Sequence, residues 1–352
     1  MSAPRNRVRI PMRVSIEVLS VLYLASYVPY ATLTRWLATV PYAPLGRPLA
    51  GLEVLPAVII LSAVMTYSFI WLSGWWRQAH TLRLFGTVLP RPTRWTLLSG
   101  FGAALLLFTV PLSFTFRNVS IPFMQLLMRG DVLIVAPLVD TLLGRRVRWY
   151  SWVALLLVAI GLAVTIDARG GLHLGALAIV TVVLYTFGYM VRLFAMTRVA
   201  KSGDARVTQG YFVEEQLVAI PLALAGLATL SAMHWGTQGN QLQFGFIESW
   251  KTGQLPFFVI LACLLFFISV FAVLILLDRR ENTFCVPFER SASVLAGLAA
   301  TYILAAMNLS RRPSDAEVVG AVLLIAAIVL LAVAPRVLAQ RQLRPTTDTA
   351  TE

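Results

Sequence analysis

The chain has 352 residues, of which 58% belong to the hydrophobic set and only 13% are charged. A soluble domain carries about twice that charged fraction. Apolar runs recur from the first fifth of the chain to the last, which excludes a water-soluble globular protein. The net charge of +13 is spread over short segments between those runs. That placement orients membrane proteins and is unlike the continuous basic patch that binds nucleic acid.

Residues 1–14 carry Arg5, Arg7, Arg9 and Arg13 and read as a cytoplasmic N-terminal segment. Apolar runs follow at about 15–39, 52–76, 96–116, 119–142, 149–167, 172–198, 209–234, 255–278, 283–307 and 316–337. Each approaches the ~20 residues that cross a bilayer as helix. The first run is longer than a signal-peptide core and is read as a retained span. Only Arg117 and Asn118 separate the third and fourth runs, which predicts a tight helical hairpin. Pro56, Pro111 and Pro137 are expected at kinks. The longest external loop, about 235–254, is polar and too short to be a domain. Residues 338–352 form a cytoplasmic tail.

The expected fold is an all-α integral membrane protein with ten transmembrane helices. With the N-terminus in the cytoplasm, 19 of the 29 lysines and arginines fall in cytoplasmic segments and seven on the opposite side. The other three, Arg129, Arg192 and Arg290, lie inside spans. This bias places both termini in the cytoplasm. Arginine outnumbers lysine by 27 to 2, a hint of a GC-rich genome. A bacterial inner membrane is therefore favoured, with a eukaryotic endomembrane as the alternative.

The chain repeats itself. Leu143-Gly144-Arg145-Arg146-Val147-Arg148-Trp149 leads into the Ala/Leu-rich run ending at Gly161. Leu309-Ser310-Arg311-Arg312-Pro313-Ser314 leads into a similar run from Gly320. An arginine-bearing helix precedes each, with Arg129 and Arg290 161 positions apart. The halves are expected at 15–167 and 172–337. Each holds five spans, so the second enters the membrane in the opposite sense, as an inverted repeat of the kind common in secondary transporters.

At these residues the chain resembles the drug/metabolite transporter superfamily. The resemblance runs from Ser120-Ile121-Pro122 through Gly144 to Gly161, and from Ser314 through Glu317 to Gly320-Ala321. It implies two inverted five-helix repeats around a central cavity, with the last helix of each half packed away from the substrate. Many members, the EamA-like exporters among them, carry a glutamate after the glycine that ends the fourth span; here Arg145 follows Gly144. The nucleotide-sugar and sugar-phosphate branches place basic residues in the fourth and ninth spans, near Arg129 and Arg290. The sugar-phosphate branch has two adjacent basic residues in the ninth; here the pair is Glu289-Arg290.

An ionisable group deep in a span costs at least ~2.5–3.5 kcal/mol on insertion scales and marks candidate chemistry. Gln125 and Arg129, four residues apart, and Asp140 beyond them fall close to one helical face. Tyr185, Tyr189 and Arg192 share a face of the sixth span. Arg129, Arg290, Gln125, Tyr185, Tyr189 and Arg192 are the expected substrate contacts. Glu289, Asp140, Glu215 and Glu17 are candidates for coupling or charge pairing. Tyr211 shares a face with Glu215, and Ser20 and Tyr27 continue the stripe from Glu17. For each arginine the competing role is a purely structural ion pair or, for Arg192, snorkelling to the interface.

No glycine-rich phosphate loop, His-Glu-x-x-His or nucleophile elbow is present. His80, His173 and His234 are scattered at span ends, and Cys263 and Cys285 lie within apolar runs. No catalytic residue, metal or cofactor is therefore expected, and the chain is not read as an enzyme. The expectation is a secondary active transporter for a polar, anionic organic metabolite, working by antiport or proton coupling. An exporter of amphipathic drugs or small metabolites is the first alternative. A non-transporting scaffold, a channel or a membrane-embedded enzyme is the second. The expected partners are the solute and the bilayer, with a homodimer as a further assembly and no nucleic acid.

Overall fold

The computed structural model describes residues 15–84, 87–116, 119–130, 149–168, 171, 174–199, 204–234, 236–251, 253–277 and 282–342. Its helices are α1 (Ile16–Thr39), α2 (Gly51–Leu72), α3 (Arg94–Ser113), α4 (Ile121–Gly130), α5 (Trp149–Ala168), α6 (Ala176–Val199), α7 (Ala205–Ala232), α8 (Gly236–Ile247), α9 (Leu255–Leu276), α10 (Asn282–Ala306) and α11 (Asp315–Gln342). Among the described residues six of them, α1, α2, α3, α6, α7 and α9, are long and apolar enough to cross a bilayer.

The polarity of the molecule is inverted relative to a soluble protein. Gln125, Glu215 and Arg290 are fully buried, while Val64, Leu72, Val183, Leu156 and Val322 face outward. In water such continuous apolar walls would aggregate; against lipid tails they are at rest. The chain is thus an α-helical, multi-pass membrane protein. Several tryptophans lie at helix ends, as interfacial residues do. Trp71 stacks on Trp76 at 5.8 Å, and the Arg198 guanidinium lies 5.3 Å from the Trp95 ring centroid.

Helix ends follow their local chemistry. Ser15, Thr93 and Asp204 cap α1, α3 and α7 by accepting from the N–H groups of Val18, Thr96 and Arg206, each satisfying a donor that the first turn leaves open. Inside helices, Thr34, Thr109, Thr181 and Thr301 donate to the carbonyl four residues back. Their hydroxyls are thereby satisfied without water.

Packing is organised around α3 and α9. Helix α3 lies against α6 and α7, while α9 lies against α1 and α2. Helix α5 pairs with α11, α4 meets α10, and α1 also meets α10. The closest approach is between α3 and α6, where a Cβ on Gly102 would collide with the carbonyl oxygen of Gly188. Helices α5 and α11 come similarly close at Gly161 and Gly320.

Two features were not expected. A short antiparallel hairpin, β1 (Thr81–Leu84) with β2 (Thr87–Pro90), separates α2 from α3. The segment read as a polar loop contains α8 and a single 3-10 turn, Ser249–Lys251. The fourth span is described only as far as Gly130, so Pro137, Asp140 and the Arg145-Arg146 loop lie outside the described residues.

Candidate functional site

A cavity of about 90 Å³ lies at the centre of the bundle, with room for several water molecules. Its wall comes from α1, α3, α4, α6, α7, α9 and α10; α2, α5 and α11 contribute nothing to it. Most of the wall is apolar, and the polar groups converge from six helices, α1, α4, α6, α7, α9 and α10.

Helix α4 carries Arg129, which is buried among hydroxyls. Its Nε donates to Gln125 Oε1 at 3.1 Å, one helical turn away, and its Nη2 donates to the Tyr27 hydroxyl at 2.8 Å. Its Nη1 donates to the hydroxyl of Tyr185. Helix α10 carries Arg290, which is fully buried, and its Nη1 donates to the same hydroxyl. The Arg290 guanidinium also lies 3.6 Å from the Tyr189 ring centroid, a cation–π contact strengthened by the dry surroundings. Tyr185 and Tyr189 stack at 6.2 Å.

Not every polar atom here is satisfied. Nε and Nη2 of Arg290, Nε2 of Gln125 and Oε2 of Glu289 have no hydrogen-bond partner. Glu289 Oε1 accepts from the Tyr23 hydroxyl at 2.6 Å, and Oε2 stands 3.5 Å from Arg290 Nε. That separation is an ion pair outside hydrogen-bond range. A buried donor left unmade costs ~1–3 kcal/mol, and more when it is charged. Arg290 thus keeps two open donors within this buried cluster.

Arg192 lines the cavity toward the hairpin and does not snorkel. Its Nε and Nη2 hold Glu215 in a fork at 2.8 and 2.7 Å. Glu215 also accepts from Ser99 Oγ at 2.6 Å and from the Tyr211 hydroxyl at 3.0 Å. Ser99 and Tyr211 are themselves in contact. The network ties the first turns of α3 and α7 to the last turns of α6.

Of the expected site residues, Gln125, Arg129, Tyr185, Tyr189, Arg192, Glu215, Glu289 and Arg290 are described and buried. Glu17 lies in the first turn of α1 and is exposed, away from the cavity wall. The buried face of α1 instead runs through Tyr23, Tyr27 and Tyr30. Tyr23 was missed; its signal was the spacing of four and three among these tyrosines, which marks one helical face.

Three other buried charges hold the frame. Glu214 accepts from the backbone N–H of His80 at 2.8 Å, the N–H of Thr93 at 3.3 Å and Thr96 Oγ1 at 2.8 Å. It thereby pins the hairpin and the start of α3, where the helix dipole favours an anion. Arg35, counted above as an external-side arginine, is buried. It donates to the carbonyls of Phe114 at 3.2 Å, Val119 at 2.8 Å and Phe116, beyond the end of α3. Glu53 accepts from Arg47 Nη1 and Nη2 at 2.8 and 2.7 Å, and these bonds raise the Arg47 pKa above its ordinary value.

No family model matches the chain, and no curated protein matches it. Among solved structures, one described as "Crystal structure of protein" aligns over 94% of this chain and 99% of its own, at 14% identity and a TM-score of 0.47.

Proposed function

We propose that the chain is a secondary active transporter that moves an anionic organic metabolite by alternating access, and that it is built as ten spans in two inverted five-helix repeats. One observation carries the reading. Arg129 and Arg290, at matching places in the two halves, converge on one hydroxyl beside a central cavity. Two buried cations side by side, with Nε and Nη2 of Arg290 left open, favour an anion as the solute.

The helix contacts support the repeat. Exchanging the halves turns α3 on α6 into α9 on α1, and α3 on α7 into α9 on α2; all four contacts are present. The pairs α5 with α11 and α4 with α10 exchange into themselves and are also present. Buried polar residues recur at nearly one spacing. Tyr23 and Tyr185, Tyr27 and Tyr189, and Glu53 and Glu215 are each 162 positions apart, against 161 for the two arginines. Helices α5 and α11 pack on each other away from the cavity, as the superfamily resemblance implies.

The cavity is too small for an organic solute, so transport requires it to widen. The Arg192–Glu215 network and the Gly102–Gly188 approach close the hairpin side. Opening that side requires α6 and α7 to separate from α3. The arginine bias puts the hairpin and both termini in the cytoplasm, and a bacterial inner membrane is the favoured setting.

The reading is tested by thermal stabilisation of the detergent-purified protein against sugar phosphates, nucleotide sugars and amphipathic drugs, since a ligand of the folded state raises its stability. Stabilisation by an anion that disappears in Arg129→Ala and Arg290→Ala supports it. Stabilisation only by uncharged or cationic amphiphiles, unaffected by either substitution, overturns it in favour of a drug exporter.

A further inference from the structure

Two helices give the cavity its apolar side. Ala103, Leu106, Leu107 and Val110 of α3 line it, and their spacing marks one helical face. Leu265, Ile268, Ser269 and Ala272 of α9 also line it, each 162 positions beyond its counterpart on α3. That is the spacing of Tyr23 and Tyr185 and of Glu53 and Glu215. The two belts thus occupy matching places in the two halves. Leu107 and Val110 pack against the same apolar cluster that holds Leu265 and Ile268, so the belts share one core.

Polar groups are scarce on this side. Thr109, beside the α3 belt, donates its hydroxyl to the Leu105 carbonyl at 2.7 Å. Helix α9 has Ser269 as its one hydroxyl in 22 residues. The other polar lining groups, Arg129 and Glu289 among them, stand on α1, α4, α6, α7 and α10. A sugar pressed against the belts would leave hydroxyls without partners, each weakening binding by roughly tenfold. A hydrocarbon chain or aromatic ring in the same place gains about fourfold for each methylene-sized unit it buries.

Resting on the carrier reading, we propose that the solute is an organic anion with an apolar body, aliphatic or aromatic, which lies against the belts of α3 and α9 while its charged end turns toward Arg129. The doubling of the belt fits alternating access. The two halves exchange roles between conformations, so a determinant that acts in both belongs in both halves. The belts differ in polarity at one place, where α3 has Leu107 and α9 has Ser269. Leu107 is therefore the position at which the apolar surface can be altered with a side chain that the other belt already carries.

Hexanoate and gluconate make a matched pair of probes. Both are six-carbon monocarboxylates, and only gluconate carries hydroxyls along its chain. Titration calorimetry of the purified protein is expected to show hexanoate bound about a hundredfold more tightly than gluconate. Affinity should also rise about fifteenfold from butanoate to hexanoate, for two more buried methylenes. Leu107→Ser, which copies Ser269 into the α3 belt, is expected to weaken hexanoate roughly tenfold; the wild-type comparison needs no variant. Gluconate or a sugar phosphate bound as tightly as hexanoate overturns the apolar body and leaves the anion-carrier reading intact. Hexanoate binding that Leu107→Ser leaves unchanged also overturns it, because the chain then lies elsewhere. If the wild type binds no organic anion at all, the anion-carrier reading fails and this inference with it.

Discussion

Arg129 and Arg290, 161 positions apart in the chain, donate to the same oxygen, the hydroxyl of Tyr185. A phenolic oxygen has two lone pairs, so one side chain can serve both guanidinium groups. Tyr185→Phe keeps the ring under both cations and removes their shared acceptor. Hydrogen bonds to charged groups contribute about 1.5–3 kcal/mol each. The expected result is a loss of stability in that range or above, read by chemical unfolding in detergent. Tyr185→Phe with wild-type stability would mean that the two arginines do not depend on this oxygen.

Arg192 and Glu215 form the best-made ion pair in the cavity wall. Removing either partner strands a buried charge and costs about 3–5 kcal/mol. Arg192→Ala and Glu215→Ala are each expected to lose that much, and the double variant far less than the sum. A double-mutant cycle reads the coupling directly; additive losses would show that the pair is not a unit. If the pair also closes the hairpin side, a cysteine introduced at Ala103 should become reactive from that side in either single variant.

The close approach of α3 and α6 rests on missing side chains. Gly102→Ala drives a methyl group against the Gly188 backbone, and overpacking of this kind costs about 1–3 kcal/mol. Gly175→Ala is the control, since a Cβ there meets nothing within 4 Å. A lowered unfolding temperature for the first and little change for the second is the expected pattern.

The hairpin is held from a distance by Glu214. Glu214→Ala leaves the N–H of His80 without its acceptor and removes the carboxylate that holds Thr96 at the start of α3. Trypsin should then cleave after Arg83 faster than in the wild type, with the rest of the bundle still protected. Equal cleavage rates would remove Glu214 as the anchor of this segment.

Much of this arrangement was legible along single helices. The four-residue steps from Gln125 to Arg129, Tyr185 to Tyr189 and Tyr211 to Glu215 each place two polar groups on one face, and each pair meets in or beside the cavity wall. What the sequence did not carry was partnership between helices. Nothing local says that Arg192 belongs to Glu215, or that Glu289 belongs to Tyr23, 266 positions away. Glu17 attracted attention as an acid in an apolar run, yet its place in the first turn leaves it outside the bundle. The hairpin and α8 were hidden for a different reason. Both occupy short segments between spans, where the hydropathy contrast that marks membrane helices is absent.

The central claim is that the two halves move an anion across the membrane through Arg129 and Arg290. Counterflow in proteoliposomes tests it most directly, using as labelled solute the anion that best stabilises the purified protein. The account predicts saturable uptake, accelerated by unlabelled solute inside and abolished in Arg129→Ala and Arg290→Ala variants that remain folded. Voltage-driven, non-saturating current, or uptake unchanged by both substitutions, would contradict it.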